Sequence, residues 1–220
     1  MIIVAVDETN FKKASSLIDK LDPKKCMVKI GSVSFNSIGH EVISYAAKKG
    51  FDIFLDLKLH DIPNTVEKTI YGLAILPIKM LTIHISGGKD MMMAAMKAAS
   101  GTDIKIFGVT TLTSLSDIDT NSIFQRSAAE QVSAMLDLAE TVGIDGVVCS
   151  PHELELVKNR DSLLSITPGI RIQDLNDDQK RVTTPKKAID LGADYLVIGR
   201  PITTSNDIKK SLNDIYESIQ

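Results

Sequence analysis

Apolar and ionisable residues alternate in residues 54–61, whose sequence is FLDLKLHD. By the two-residue period of a β-strand, one face of this segment carries Phe54, Asp56, Lys58 and His60. The opposite face would pack against helices and carries Ile53, Leu55, Leu57 and Leu59. An unpaired ion on the inner face of a buried strand costs several kcal/mol. We therefore interpret Asp56 and Lys58 as residues retained for chemistry.

Three more polar residues lie at or near the ends of predicted strands: Asp7, Lys29 and His84. The carboxyl ends of parallel strands meet at one mouth of a barrel, which is where active sites lie. Two lysines and at least two aspartates would converge there, and their titrations would be coupled. A lysine held between carboxylates stays protonated and can donate a proton to a developing carbanion.

Each of these residues also fits a structural role when it is taken alone. Asp56 and Lys58 could form an ordinary ion pair, and the two histidines could be core or rim residues. His84 has no carboxylate or cysteine spacing that suggests a metal site, so we predict no metal ligands. The prediction of an active site therefore depends on the whole constellation.

A second polar cluster follows the last two predicted strands. The seventh strand leads into TPGIR, residues 167–171, and the eighth leads into IGRP, residues 198–201. Barrels often bind phosphate with the loops after strands seven and eight. Gly169 and Gly199 would let backbone amides approach a phosphate, while Arg171 and Arg200 would supply fixed donors. The alternative is a pair of loop glycines beside solvated arginines.

Eight apolar segments would position these groups. The predicted strands are Ile2–Val6, Cys26–Ile30, Asp52–Lys58, Lys79–Ser86, Ile104–Val109, Gly146–Cys149, Leu163–Thr167 and Tyr195–Ile198. Strands that alternate with helices indicate right-handed β-α-β units and a parallel sheet. Eight such units favour closure into a (β/α)₈ TIM barrel, an α/β fold.

Amphipathic segments between the strands predict helices over Phe11–Leu21, Asn36–Lys49, Thr65–Leu76, Met91–Ser100 and Ala128–Val142. Four glycines close helical segments, where a residue tolerant of positive φ is needed: Gly50, Gly101, Gly143 and Gly192. The longest irregular segment runs from Pro168 to about Thr184. A loop of that length inside a compact domain is typical of a functional lid.

Composition and charge exclude several classes of protein. The chain is 44% hydrophobic and 24% charged, which is typical of a folded soluble domain, and no linker divides it. We therefore predict a single domain over residues 1–220. The net charge of −3 provides no overall positive field that would attract nucleic acid. No apolar run approaches the ~20 residues that span a bilayer. Residues 1–10 have no basic flank typical of a signal peptide, so we predict a cytoplasmic protein without membrane or nucleic-acid partners.

The two cysteines give no metal or redox signal. Cys26 and Cys149 lack a CxxC or metal-ligand spacing and lie in apolar strand-like segments. We predict that both are buried core thiols.

Residues 56–66, DLKLHDIPNTV, match the signature of a known family. The chain resembles the orotidine 5′-monophosphate decarboxylases, which catalyse the last step of UMP synthesis. The resemblance covers the whole chain, with further landmarks in the same order: Val6-Asp7, VKIG at 28–31, HISGG at 84–88, LTS at 112–114, TPGIR at 167–171, Asp178-Gln179 and VIGR at 197–200.

The resemblance implies a role for each candidate residue. Lys58 would protonate C6 of the pyrimidine within a charged network of Lys29, Asp56 and Asp61. Asp61 would come from the partner subunit of a homodimer, and two more residues would reach across with it, Ile62 and Thr65. The substrate contacts would be Asp7 and Lys29 at the ribose, Thr113 at the pyrimidine ring, and Arg171, Gln179, Gly199 and Arg200 at the phosphate.

The implied reaction converts orotidine 5′-monophosphate (OMP) to UMP and CO₂ without a cofactor. One alternative resembles the Mg²⁺-dependent sugar-phosphate lyases of the same superfamily, 3-keto-L-gulonate 6-phosphate decarboxylase and hexulose-6-phosphate synthase. Those enzymes share Asp-x-Lys-x-x-Asp, but here IPNT follows Asp61, and Lys29 lies where they tend to carry an acid. Another alternative is a non-catalytic nucleotide-binding barrel. Such a barrel would be expected to have lost at least one of the four network residues, Lys29, Asp56, Lys58 and Asp61, and this chain has all four.

Overall fold

The computed structural model describes residues 1–171 and 183–220. Eight parallel strands in these residues form a closed barrel in which each strand pairs with the next and the eighth pairs with the first. The strands are β1 (Ile2–Val6), β2 (Cys26–Gly31), β3 (Ile53–Leu59), β4 (Met80–His84), β5 (Lys105–Val109), β6 (Gly146–Val148), β7 (Leu164–Thr167) and β8 (Tyr195–Ile198). The predicted (β/α)₈ barrel is confirmed.

Helices follow the strands around the outside of the barrel. They are α1 (Phe11–Ile18), α2 (Ser32–Ile38), α3 (His40–Lys48), α4 (Pro63–Leu73), α5 (Gly88–Ala99), α6 (Asp117–Phe124), α7 (Ala128–Val142), α8 (Leu154–Lys158), α9 (Pro185–Asp190), α10 (Arg200–Thr203) and α11 (Ile208–Ser218). Short 3₁₀ turns occupy Ile85–Gly87 and Pro151–Glu153. No helix in the described ranges is long and apolar enough to cross a membrane.

The predicted segments differ from the structure mainly at their ends. The fourth strand ends at His84 and not at Ser86, because the chain turns into the 3₁₀ segment there. The single helix predicted over Asn36–Lys49 is two helices, divided at Gly39, whose φ is 77°. The long loop predicted after the seventh strand includes residues 172–182, which lie outside the described residues.

Helix α7 shows how local sequence sets an element. Ser127 caps its N-terminus by accepting a hydrogen bond from the Glu130 backbone, and the Glu130 side chain accepts from the Ser127 backbone in return. Gly143 ends the helix in the left-handed conformation, with φ of 76°. All four glycines predicted to need positive φ have it, so the sequence correctly marked these helix ends.

The strands separate two apolar layers. Side chains that point outward, such as Ile2, Val4 and Val6 of β1, pack under the helices. Those that point inward fill the barrel as one cluster: Ile3, Ala5, Met27, Phe54, Met80, Phe107, Ile166 and Val197. Both cysteines are buried and unbridged, as predicted. The next inward position after Ala5 is Asp7, so the two-residue period carries the inward face of β1 from the apolar interior to a polar group at the mouth.

Gly146 of β6 provides a test of the packing inside the barrel. A Cβ at this position would collide with the backbone carbonyl oxygen of Leu164 and lie 2.5 Å from Cε1 of Phe107. Gly146→Ala should therefore lower the free energy of unfolding, measured in urea, by about 1–3 kcal/mol through overpacking. Gly72→Ala in α4 is the matched control, since a Cβ there meets nothing within 4 Å. It should raise stability by about 0.5–1 kcal/mol, and a loss in both variants would contradict the packing argument.

Candidate active site

The carboxyl ends of the strands surround one cavity of about 580 Å³. Nine of the residues predicted from the sequence line it: Asp7, Lys29, Asp56, Lys58, Thr113, Gly169, Arg171, Gly199 and Arg200. They come from β2, β3 and the segments after β1, β5, β7 and β8, which are far apart in the sequence. Closure of the barrel brings them together at one mouth, as the strand-end argument predicted.

Asp56 lies at the centre of an ion network. Both of its carboxylate oxygens accept hydrogen bonds from the Lys58 ammonium at 2.8 Å. Lys29 lies 3.7 Å from the same carboxylate and 3.2 Å from that of Asp7. The Asp56 carboxylate therefore holds two ammonium groups close together, while the Asp7 carboxylate partly neutralises the charge of Lys29.

The Asp56 carboxylate is well shielded, with 11% of its side chain exposed. Burial alone would raise the pKa of Asp56, but the Lys58 and Lys29 ammonium groups outweigh it. With hydrogen bonds from Lys58 and Thr82, they hold the pKa below its usual value. Asp56 is therefore ionised at neutral pH and is the shared counter-ion of Lys58 and Lys29.

The backbone at Lys58 departs from a regular strand. Its φ is 52°, in the left-handed region that residues other than glycine rarely adopt. The pairing of β3 with β4 shifts register between Leu55 and Leu59. The Lys58 amide donates instead to the Thr82 hydroxyl at 2.9 Å. Strict alternation along the strand predicted the inward face of Lys58 but not this conformation.

The inward face predicted for residue 60 was wrong. Phe54, Asp56 and Lys58 line the cavity, whereas His60 is exposed and its ring lies 5.2 Å from that of His84. The alternation fails after the left-handed residue, and β3 ends at Leu59. Burial, together with His60 and Lys58, lowers the pKa of His84, and Asp56 opposes this shift only partly. His84 is thus a neutral rim residue at neutral pH.

The far side of the cavity carries the guanidinium groups. Arg171 is buried, and its Nη1 donates to the Ile170 carbonyl oxygen at 2.9 Å. Its backbone amide donates to the carbonyl oxygen of Thr183 across the ends of the long loop. Arg200 is exposed at the start of α10. Gln179, predicted to accompany these residues, lies outside the described residues.

Asp61, Ile62 and Thr65 do not line the cavity of their own barrel. All three are exposed at the start of α4, and Ile62 is 65% exposed. The Asp61 carboxylate accepts only a local hydrogen bond, from the Ile62 amide at 2.7 Å, among the contacts described. A single barrel therefore leaves these three predicted site residues facing outward.

Sequence reasoning missed two hydroxyls of the site. Thr82 of β4 is fully buried and donates to Asp56 at 2.9 Å. Thr111 lines the cavity, and its buried hydroxyl has no hydrogen-bond partner in the described part of the chain. A threonine in an apolar strand looks ordinary in sequence. The one signal that could have found Thr82 is its position two residues before His84, on the same face of the predicted fourth strand.

The fold and the site together define a (β/α)₈-barrel enzyme with its ionisable groups at the C-terminal mouth. A family model described as "Orotidine 5'-phosphate decarboxylase / HUMPS family" matches residues 1–215. The chain belongs to this family.

Several similar proteins are named orotidine 5'-phosphate decarboxylase, the first of the two names in the family description. The orotidine 5'-phosphate decarboxylase of Ehrlichia canis is 46% identical over 99% of this chain and 97% of its own length. That of Saccharophagus degradans is 43% identical over 97% of this chain and 92% of its own. The crystal structure of the Lactobacillus acidophilus orotidine 5'-phosphate decarboxylase superposes with a TM-score of 0.88 at 37% identity, covering 100% of this chain and 98% of that one.

The ion network predicts a pH-dependent loss of stability in Asp56→Asn. Removing the carboxylate leaves two buried or half-buried ammonium groups facing each other, so the variant should lose about 3 kcal/mol at neutral pH. The pKa of Asp56 is lower in the folded state than in the unfolded one. Its contribution is therefore present above the unfolded-state pKa and is lost as the pH falls through the folded-state pKa.

Urea unfolding across an acidic pH series should thus show the two proteins converging at low pH. Asp103→Asn is the matched control, since Asp103 pairs with Lys79 at 3.0 Å with 84% of its side chain exposed. This surface pair should contribute little at any pH. A pH-independent difference between the Asp56 variant and the native chain would contradict the network.

Proposed function

We propose that the protein decarboxylates OMP to UMP and CO₂ in pyrimidine biosynthesis, without metal or cofactor. The observation that carries the proposal is the Lys58 ammonium, held 2.8 Å from both oxygens of Asp56 in a cavity that also contains Arg171 and Arg200. An ammonium at one end and guanidinium groups at the other suit a substrate with a reacting ring and a phosphate. The curated relatives named above support the same activity.

In the proposed reaction the carboxylate leaves C6 as CO₂, and its bonding electrons remain on C6 as a carbanion. The Lys58 ammonium stabilises this charge and then donates its proton to C6, which forms the C–H bond of UMP. The resulting amine takes a proton from water before the next turnover. Asp56 accepts two hydrogen bonds from the Lys58 ammonium and so holds it at the cavity.

The remaining cavity residues would bind the parts of the substrate that do not react. Asp7 and Lys29 would contact the ribose hydroxyls, Thr113 the pyrimidine ring, and Arg171, Gln179, Gly199 and Arg200 the phosphate. Binding at the phosphate end would supply energy that is used at the distant ring.

We also propose that the working unit is a homodimer in which Asp61, Ile62 and Thr65 complete the site of the partner. Their position supports this, since all three are exposed and lie outside their own cavity. A two-fold dimer would bring the same surface of each barrel together. A cytoplasmic location, the absence of nucleic-acid and membrane partners, and a single domain over residues 1–220 stay predictions from the sequence.

Lys58→Ala tests the proton donor. The variant should lose turnover, followed as the fall in ultraviolet absorbance when OMP becomes UMP, while its affinity for UMP stays close to native. Lys79→Ala is the matched control, because Lys79 is exposed and pairs with Asp103 outside the cavity. Near-native turnover in the Lys58 variant would overturn the assignment.

A chelator separates this reaction from that of the sugar-phosphate lyases. We expect the native chain to convert OMP equally well with and without a chelator, since no step of the proposed reaction uses Mg²⁺. Activity lost on chelation, or no activity on OMP, would favour the lyases. Binding of UMP without any turnover would instead favour the non-catalytic barrel.

Complementation between two inactive variants tests the shared site. Lys58→Ala and Asp61→Ala should each be inactive as homodimers. In a mixed dimer, one of the two sites has the native Lys58 of one subunit and the native Asp61 of the other. Random mixing should therefore restore about a quarter of native activity, given a two-fold dimer. Mixtures that stay inactive after subunit exchange is verified would show that Asp61 does not act across an interface.

A further inference from the structure

One hydroxyl contacts both partners of the central ion pair. The Thr82 side chain is fully buried and donates a hydrogen bond to Oδ1 of Asp56 at 2.9 Å. The Thr82 hydroxyl oxygen in turn accepts a hydrogen bond from the Lys58 backbone amide, also at 2.9 Å. A hydroxyl can donate once and still accept, so Thr82 uses both functions on two residues that are themselves bonded to each other.

The acceptor role matters because the Lys58 backbone is strained. A left-handed φ of 52° is unfavourable for a residue other than glycine and persists only where the surroundings hold it. The register shift between Leu55 and Leu59 leaves the Lys58 amide bonded to a side chain. Without the Thr82 hydroxyl this partly buried amide would lose its partner, and the strain would no longer be compensated.

We propose that Thr82 is a positioning residue that holds Lys58 in its left-handed conformation and Asp56 in the orientation that directs the ammonium. It does not touch the reacting atoms and acts through both members of the pair. The inference rests on the proposed function, because it assigns Lys58 the proton transfer. The geometric part stands without it and can be measured on the protein in the absence of substrate.

The electrostatics of the mouth agree with this role. Asp56 faces Lys58 on its own strand, Lys29 from β2 and His84 from β4, while Asp7 from β1 faces Lys29. The hydrogen bond from Thr82 is one of the contacts that lower the pKa of Asp56. Loss of the hydroxyl should therefore raise this pKa, so that Asp56 protonates at a higher pH.

Three variants test the proposal. Thr82→Val keeps the shape and removes the hydroxyl, and Thr82→Ser keeps the hydroxyl. Thr120→Val is the matched control, because Thr120 is equally buried and donates to Ser116 and Asp117 within α6, outside the cavity. We expect Thr82→Val to lower kcat about 100-fold by misplacing the ammonium, with KM changed by less than about threefold. Thr82→Ser and Thr120→Val should stay within about threefold of native kcat.

Two further measurements separate positioning from general stability. The acid limb of the kcat profile should move to higher pH in Thr82→Val and not in Thr82→Ser or Thr120→Val. Hydrogen exchange of the Lys58 amide should become at least about tenfold faster in the valine variant alone. If Thr82→Val does not fold, Thr82→Ala removes the hydroxyl without adding bulk and should give the same three changes.

Near-native kcat in Thr82→Val, or equal losses in the valine and serine variants, would overturn the proposal. So would unchanged exchange of the Lys58 amide in both Thr82→Val and Thr82→Ala. Failure of the proposed function is a different result, namely no turnover of OMP by the native chain. The exchange measurement would still decide the geometric role of Thr82 in that case.

Discussion

The carboxylate of Asp56 is the group on which the arrangement of the barrel mouth depends. It accepts two 2.8 Å hydrogen bonds from Lys58 and lies 3.7 Å from the ammonium of Lys29. Two lysines on neighbouring strands would repel each other at this depth without a shared counter-ion. The apolar cluster below, which includes Phe54, excludes water from that end of the barrel and strengthens each of these interactions. Packing and electrostatics are thus coupled along the same strands.

The side chains of the hexapeptide from Asp56 to Asp61 face two different sides of the barrel wall. Asp56 and Lys58 face the cavity, whereas Asp61 is exposed at the start of α4. The change of direction begins at the left-handed Lys58, continues through the end of β3 at Leu59, and is complete in the turn before α4. Lys58 faces the cavity and Asp61, three residues later, faces outward. One short motif can therefore contribute to its own site and to a neighbouring surface. The strained backbone is therefore part of the functional geometry.

The fold was largely predictable because it follows from local periodicity. Apolar runs located all eight strands to within about two residues, and Gly143 ends α7 where predicted. The misses have local causes of another kind. Gly39 divides a helix that its amphipathic pattern described as continuous, and His60 lies beyond a bulge that reverses the alternation. Neither a helix break nor a bulge changes the hydrophobic pattern enough to be read from it.

The sequence by itself determined which ionisable groups meet, because Asp7, Lys29 and Asp56 each follow an apolar run in the phase that points into a parallel barrel. It also marked the arginines after the last two strands. Only the tertiary structure decided how these groups contact one another. The sequence indicates neither the left-handed turn at Lys58 nor the hydroxyl of Thr82 that bonds to both Lys58 and Asp56. Those contacts join β3 to β4 through residues that are 24 and 26 positions apart in the sequence. Their distances depend on the register of the closed sheet, which periodicity does not specify.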